Sequence, residues 1–168
     1  KTLVGQSMTQ YRVDAAPIDG LKIGADYANT DGSTATAQEA ESGAYFAQYA
    51  MGNFKVGYGK SLYAVPLTDK NGNVTDYETT SYGVEFAVND QLSISYTKEK
   101  SEAITAVAIV DGASSNTKTS VESDITTLQA AYVIGGATVG IATTETSDAD
   151  YVSGKEEKVT VLSIAMAF

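Results

Sequence analysis

The sequence predicts an all-β fold, an antiparallel transmembrane β-barrel, and three observations lead to that prediction. Apolar and polar residues alternate along most of the 168 positions. Short and long connections alternate between the strands that this pattern defines. One of the two resulting faces collects most of the tyrosines, and aromatic girdles of this kind mark the interfaces of barrels that cross membranes.

The alternation has the period of two that is typical of a half-buried strand. Its clearest example is the segment TTSYGVEFAV, in which Tyr82, Val84, Phe86 and Val88 alternate with small or polar residues. By this criterion the chain contains nine strands, at about 6–15, 20–30, 42–51, 54–64, 77–88, 91–101, 118–134, 137–147 and 156–168.

The connections between these strands differ in length in a regular way. The short turns are APIDG, MGN, ND and GG, and each is followed one strand later by a long polar connection. The long ones are DGSTATAQEAE, VPLTDKNGNVTD, the stretch from about 102 to 117, and SDADYVSGKEE. Short turns at one end and long loops at the other are the rule for transmembrane barrels, whereas soluble sandwiches have no reason to follow it.

The composition excludes several classes of function. The chain has no Cys and no His, which rules out disulfides, thiolate or imidazole metal sites, and Ser-His or Cys-His nucleophile pairs. We therefore expect no enzyme activity, no cofactor and no metal. A net charge of -10 argues against nucleic acid as a partner. No run of 18 apolar residues exists, so the sequence predicts no transmembrane helix.

The two faces of the predicted sheet have different chemistry. One face carries tyrosines, namely Tyr11, Tyr27, Tyr45, Tyr49, Tyr58, Tyr82, Tyr96 and Tyr132. The other carries Gly, Ser, Thr and charged residues, and its candidate pore-lining residues are Arg12, Asp14, Lys22, Asp26, Lys55, Glu85 and Glu99. Gly57 and Gly59 on this face would let the wall bend or a loop approach. Alternation alone also fits a soluble sheet whose polar residues face water.

The last strand carries the most specific signal. Leu162, Ile164, Met166 and Phe168 alternate with small residues, and Phe168 is the final residue. This strand resembles the C-terminal strand of the general porins of Gram-negative outer membranes, in the alphaproteobacterial style. In that family the terminal aromatic residue and the alternating apolar residues are read by the barrel-assembly machinery. Ser163 stands where the family usually has Gly, and Met166 replaces a common aromatic residue.

The resemblance implies a larger barrel than nine strands. Family porins have about sixteen strands and both termini in the periplasm. Nine strands that end in the periplasm would begin outside, so we expect residues 1–168 to be the C-terminal part of one barrel domain whose N-terminal part is absent from this chain. The resemblance also implies an outer-membrane location, a homotrimer, and contact with lipid and lipopolysaccharide.

The function expected from these observations is passive diffusion of small hydrophilic solutes and ions. Most acidic residues lie on or beside the long loops, where they would form an acidic vestibule that favours cations. Two alternatives stay open, a small closed outer-membrane barrel with a structural or adhesive role and a secreted soluble β-protein. The Gly, Ser and Ala residues of the polar face leave space in the lumen, which favours the porin.

Overall fold

The computed structural model describes residues 7–30, 40–64, 74–106 and 118–166 of the chain. It is all-β and antiparallel. The strands are β1 (Met8–Ala15), β2 (Leu21–Thr30), β3 (Ala40–Met51), β4 (Phe54–Ala64), β5 (Val74–Ala87), β6 (Leu92–Ala106), β7 (Lys118–Ile134), β8 (Ala137–Ser147) and β9 (Glu157–Met166). The connections between them span five, nine, two, nine, four, eleven, two and nine residues, so the alternation of short turns and long loops is confirmed.

Each strand pairs with the next one along the chain, and the result is one open sheet in the order β1 to β9. The pairing is staggered. Ala15 is the last residue of β1, at the end of the sheet where the short turns lie. The row of directly opposed residues that starts there leads through successive strands to Lys158 on β9. Lys158 lies eight residues before Met166, the residue at the same end of β9. One residue of stagger per strand, at about 3.3 Å per residue and 4.8 Å per strand, corresponds to a strand tilt of about 35°. Barrel walls have a tilt of this size.

Directly opposed residues share a face, so the register sorts the strands into two faces. We call one the aromatic face, because all eight tyrosines expected on one side lie on it. It comprises the odd-numbered residues of β1, β2, β3 and β8 and the even-numbered residues of β4 to β7 and β9. The opposite one is the polar face. Arg12, Asp14, Lys22, Asp26, Lys55, Glu85 and Glu99 all lie on the polar face.

The sheet is a single layer without a hydrophobic core. The buried hydrophobic residues of the described part are Ala64, Ala103 and Ala149, all small. The accessible surface is 11670 Å², whereas a compact monomer of 17.6 kDa has about 7,900 Å². Large apolar side chains stay exposed along the aromatic face, up to 70% for Leu162.

Three details differ from the sequence prediction. β5 begins at Val74 and β6 extends to Ala106, and these extensions pair with each other, from Val74 opposite Ala106 downward. Their alternation is masked by acidic residues on the aromatic face. The loop after β8 contains a short 3-10 turn, Ala149–Tyr151. No helix of the described residues has the length and apolar character needed to cross a membrane.

Candidate functional site

The candidate pore residues of the first two strands form a charged cluster on the polar face. Arg12 Nε donates to Asp14 Oδ2 at 2.6 Å, and a second nitrogen of the same guanidinium lies 3.2 Å from Asp14 Oδ1. Asp26 lies directly opposite Arg12 on β2. The guanidinium therefore pairs with Asp14 and lies in the same row as Asp26.

A second charged pair lies two strands away. Lys55 Nζ and Glu85 Oε2 are 2.6 Å apart across β4 and β5. Lys22 lies opposite Gln48, and Glu99 lies opposite Ser81, so these two predicted residues are placed on the same face but in other rows. The pair side chains are 43% and 45% exposed. Exposed pairs of this kind contribute at most about 1 kcal/mol to stability.

The 148–156 loop folds over the polar face, which the sequence pattern did not predict. Tyr151 Oη lies 2.8 Å from Ser101 Oγ on β6, and its ring centroid lies 5.5 Å from that of Tyr77 on β5. Ser101 also bonds Thr79 at 2.9 Å, and Ser101 is buried. The loop starts at β8 and reaches β6 and β5 across β7, so it covers part of this face near the long-loop end.

The backbone of this loop is held in an uncommon conformation. Asp148, Asp150 and Tyr151 have φ of 50°, 55° and 59°, a region that non-glycine residues seldom occupy and that needs support from surrounding contacts. Asp148 Oδ1 accepts from the Gly154 amide at 2.6 Å. Lys155 binds Asp150 and lies 2.8 Å from Glu157. Hydrogen bonds to Asp150 and then Glu157 raise the pKa of Lys155 above its ordinary value.

On the aromatic face, tyrosines form a row across six consecutive strands. Each member of this tyrosine row lies four to six residues above the short-turn end of its strand, and the members are Tyr11, Tyr27, Tyr45, Tyr58, Tyr82 and Tyr96. Ring centroids are 6.1 Å apart for Tyr45 and Tyr58 and 5.4 Å apart for Tyr58 and Tyr82. A second aromatic row near the short turns includes Phe54 stacked on Phe86 at 4.5 Å.

The tyrosine row and the second aromatic row enclose an apolar strip, and two tyrosines make hydroxyl hydrogen bonds on the outer sides of that strip. Tyr27 Oη donates to Glu41 Oε1 at 2.7 Å, toward the long-loop end. Tyr132 Oη on β7, near the short-turn end of the sheet, donates to Gln91 Oε1 at 3.2 Å, and Gln91 lies in the short turn between β5 and β6. Amphipathic rings at a membrane interface keep the apolar part inward and the polar tip in water.

Above the tyrosine row the aromatic face becomes charged. Lysines and carboxylates pair across neighbouring strands in a set that we call the charged band. Its pairs are Lys60–Glu78 at 2.6 Å, Lys98–Asp124 at 3.4 Å, Lys100–Glu122 at 2.6 Å and Lys158–Glu145 at 2.5 Å. The band lies toward the long-loop end of the sheet.

The charged band changes the interpretation of the acidic residues. The sequence places most of them on or beside the long loops, as a vestibule. Among the described residues, seven of these acids lie within strands and on the aromatic face, opposite to the candidate pore residues: Glu41, Asp76, Glu78, Glu102, Glu122, Asp124 and Glu145. Asp31, Glu39, Asp69 and Asp111 lie outside the described residues. These seven acids therefore cannot line the same space as Asp26 or Glu99.

The candidate assembly residues share the aromatic face of β9. Leu162, Ile164 and Met166 lie opposite Ile141, Val139 and Ala137 of β8. Their exposed fractions are 70%, 63% and 61%. Phe168, the fourth residue of the predicted signal, lies outside the described residues.

Sequence reasoning also missed Phe46, a 40% exposed ring on the polar face. Its signal was present, because Tyr45 and Phe46 are adjacent in β3 and adjacent strand residues point to opposite faces. Tyr77 and Tyr82 have an odd spacing, which likewise assigns Tyr77 to the polar face.

Comparison with protein-family models, curated proteins and solved structures found no match to this chain.

Proposed function

We propose that this chain forms part of the wall of a transmembrane β-barrel of about sixteen strands in a bacterial outer membrane. The barrel is a porin, a water-filled channel through which small hydrophilic solutes and ions diffuse passively, with weak preference for cations. It catalyses no reaction. Its partners are membrane lipid, lipopolysaccharide, the barrel-assembly machinery and two further copies of itself.

The observation that carries this proposal is a single-layer sheet in which most of the exposed large apolar side chains lie on the aromatic face, whereas the opposite face is richer in small and polar side chains. The total accessible surface, polar and apolar together, exceeds that of a compact monomer by about 3,800 Å². Exposed apolar surface in water is unfavourable by about 25 cal/mol per Å². Lipid on the aromatic face removes that penalty, and a wet lumen suits the opposite face.

Two features support the aromatic face as the lipid-facing one. The tyrosine row and the lower aromatic row enclose the most apolar strip of the sheet, in the arrangement of interfacial girdles. The 148–156 loop reaches from β8 to β6 along the polar face. A loop that crosses a concave wall takes a chord shorter than the arc, so a concave polar face suits this contact.

The apolar strip is short for a bilayer. It spans about five residues between the strand ends and the tyrosine row, or about 16 Å along a strand, which at a tilt of about 35° is about 13 Å in height, against a band about 25 Å tall in typical barrels. Lys60 and Lys98 follow the tyrosine row directly on β4 and β6. Their aliphatic stems extend the apolar surface while the ammonium groups reach the headgroups. A bilayer also thins over a short hydrophobic surface at modest free-energy cost.

Cation preference follows from the polar face alone. Its described strand positions carry three basic residues, Arg12, Lys22 and Lys55. They carry five acidic ones, Asp14, Asp26, Glu85, Glu99 and Glu157. A net charge of two negative units on a low-dielectric wall attracts cations weakly.

Extraction and conductance test the proposal. We expect the protein to require detergent for release from membranes and to add stepwise conductance to a planar bilayer, with reversal potentials of a weakly cation-selective channel. Partition into buffer without detergent would exclude a membrane protein and favour the secreted alternative. A detergent-requiring protein without conductance would favour the small closed barrel, and anion selectivity would refute the cation preference.

A further inference from the structure

Phe46 is flanked by glycines on both neighbouring strands. Gly24 on β2 and Gly59 on β4 lie directly opposite it. The ring leans toward Gly24, because a Cβ at that position would lie 2.4 Å from Phe46 Cε1. A Cβ at Gly59 would meet only Tyr45 O at 3.7 Å and Phe46 Cβ at 3.9 Å. Packing on Gly24 thus accounts for one side of the ring and leaves the side toward β4 open.

The open side continues over further glycines. Gly57 and Gly83 lie directly opposite each other on β4 and β5, in the row beyond Gly59. A Cβ at Gly57 would come no closer than 3.5 Å to another atom, and a Cβ at Gly83 no closer than 3.9 Å. Alanine therefore fits at both positions, so packing does not require glycine, although glycine weakens a strand. What the glycines provide is space beside Phe46.

This space consists of two adjoining depressions, of about 260 and 310 Å³, which we call the Phe46 trough. The first borders Phe46, Ser81 and Thr97, and the second borders the Lys55–Glu85 pair and Gln129. They share Gln48, Gly57, Gly83 and Thr97. Together they reach the size of small-molecule sites, which combine an apolar surface with a few polar groups.

We propose that the Phe46 trough binds a neutral polyhydroxylated solute of monosaccharide size. The polarised C–H groups on one face of a pyranose ring suit the negative face of an aromatic ring. Amide and hydroxyl groups of Gln48, Ser81 and Thr97 border the trough, within reach of the hydroxyl groups of such a solute. The inference rests on the proposed function, since it takes the polar face as the channel wall.

Charge in the trough favours a neutral solute over a cation. The charged residues that border the trough, Lys55 and Glu85, lie 2.6 Å apart and compensate each other. Phe is also a weaker partner for cations than Trp. A neutral solute loses no counterion here and leaves the ion pair intact.

The test uses the full protein in detergent micelles, D-glucose as the probe and ligand-observed saturation-transfer NMR. We expect the wild-type protein to bind glucose and Phe46→Leu, which still covers Gly24, to weaken binding about two- to tenfold. The double variant Gly57→Ala/Gly83→Ala, which narrows the trough without a clash, should also weaken binding. Phe54→Leu, on the aromatic face, is the matched control and should bind as the wild type does.

The outcomes separate this site from the proposed channel. Conductance in KCl without glucose tests the channel by itself. A conducting protein that does not bind glucose, or whose Phe46→Leu variant binds as well as the wild type, would overturn the trough while leaving the porin. Glucose binding that both trough variants weaken, in a protein without conductance, would support the trough and refute the porin. Saturation transfer to choline but not to glucose would overturn the proposal in favour of a cation site.

Discussion

Adjacent alanines on β7 allow a direct test of which face meets lipid. Ala130 lies on the aromatic face, between Leu128 and Tyr132 along the strand and between Ile94 and Ile141 across it. Ala131 lies on the polar face, opposite Ser93 and Gly140. The same substitution, Ala→Arg, at these two positions changes size, charge and strand propensity equally and differs only in the face.

The magnitude follows from the position of Ala130. It lies four residues above Ile134 at the strand end and two below Leu128, which is level with Tyr96 of the tyrosine row, so it lies within the apolar strip, and Asp124 is about 20 Å away along the strand. An arginine near the middle of a bilayer costs about 2–4 kcal/mol in a transmembrane barrel. Ala131→Arg would face the proposed wet lumen and should cost within about 0.5 kcal/mol, as surface changes do.

Urea unfolding of the protein in phospholipid vesicles, followed by far-UV circular dichroism, measures the difference. With a slope of about 2 kcal/mol per molar urea, the midpoint of Ala130→Arg should fall by about 1–2 M relative to the wild type. The midpoint of Ala131→Arg should stay within about 0.3 M. Equal midpoints for the two variants, or a larger loss for Ala131→Arg, would refute the assignment of the aromatic face to lipid.

Three further predictions concern selectivity, the loop and assembly. Glu99→Gln should shift the reversal potential of the channel toward anions, whereas Glu145→Gln on the other face should leave it unchanged; the opposite ranking would contradict the assignment of faces. Tyr151→Phe removes the 2.8 Å bond to Ser101, worth about 1 kcal/mol, and should speed amide exchange in the 148–156 loop about fivefold by mass spectrometry; unchanged exchange would mean that the bond does not hold the loop. Deletion of Phe168 should lower the amount of folded protein in the outer membrane, and an undiminished amount would refute its role as an assembly signal.

Period-two alternation predicted the strands well because each strand is bounded by turns whose residues break the pattern. Gly135 and Gly136 form the turn between β7 and β8. The end of β7 at Ile134 and the start of β8 at Ala137 agree with the prediction. The extension of β6 to Ala106 was missed because it depends on pairing with β5, which is a tertiary property. Boundaries set by cross-strand partners are not written in the local sequence.

The fold of the 148–156 loop was hidden for the same reason. Tyr151 meets Ser101 across fifty residues of sequence, so no local pattern relates them. The segment is mostly polar and contains Asp148, Asp150 and Gly154, which predicts a solvated loop. Only the register, which puts Tyr77 and Ser101 on the polar face beneath it, provides the surface on which Tyr151 packs.

The distribution of charged residues over the two faces differs clearly from what the net charge of the sequence suggests. The chain has 21 acidic and 11 basic residues, yet the aromatic face takes up many of both in the charged band. An acid on that face is separated from the polar face by the sheet itself, and four of the seven are paired with lysine, namely Glu78, Glu122, Asp124 and Glu145. In the proposed channel, the effect of an acid on a permeating ion would therefore depend on which face its odd or even position in the strand assigns it to. The net charge of the chain would not determine that effect. Lys98 and Glu99 are adjacent in β6, and one belongs to the charged band and the other to the candidate channel wall. The ion selectivity of such a wall depends on the net charge of the polar face, which is only two negative units. A single charge substitution on that face would therefore change the selectivity.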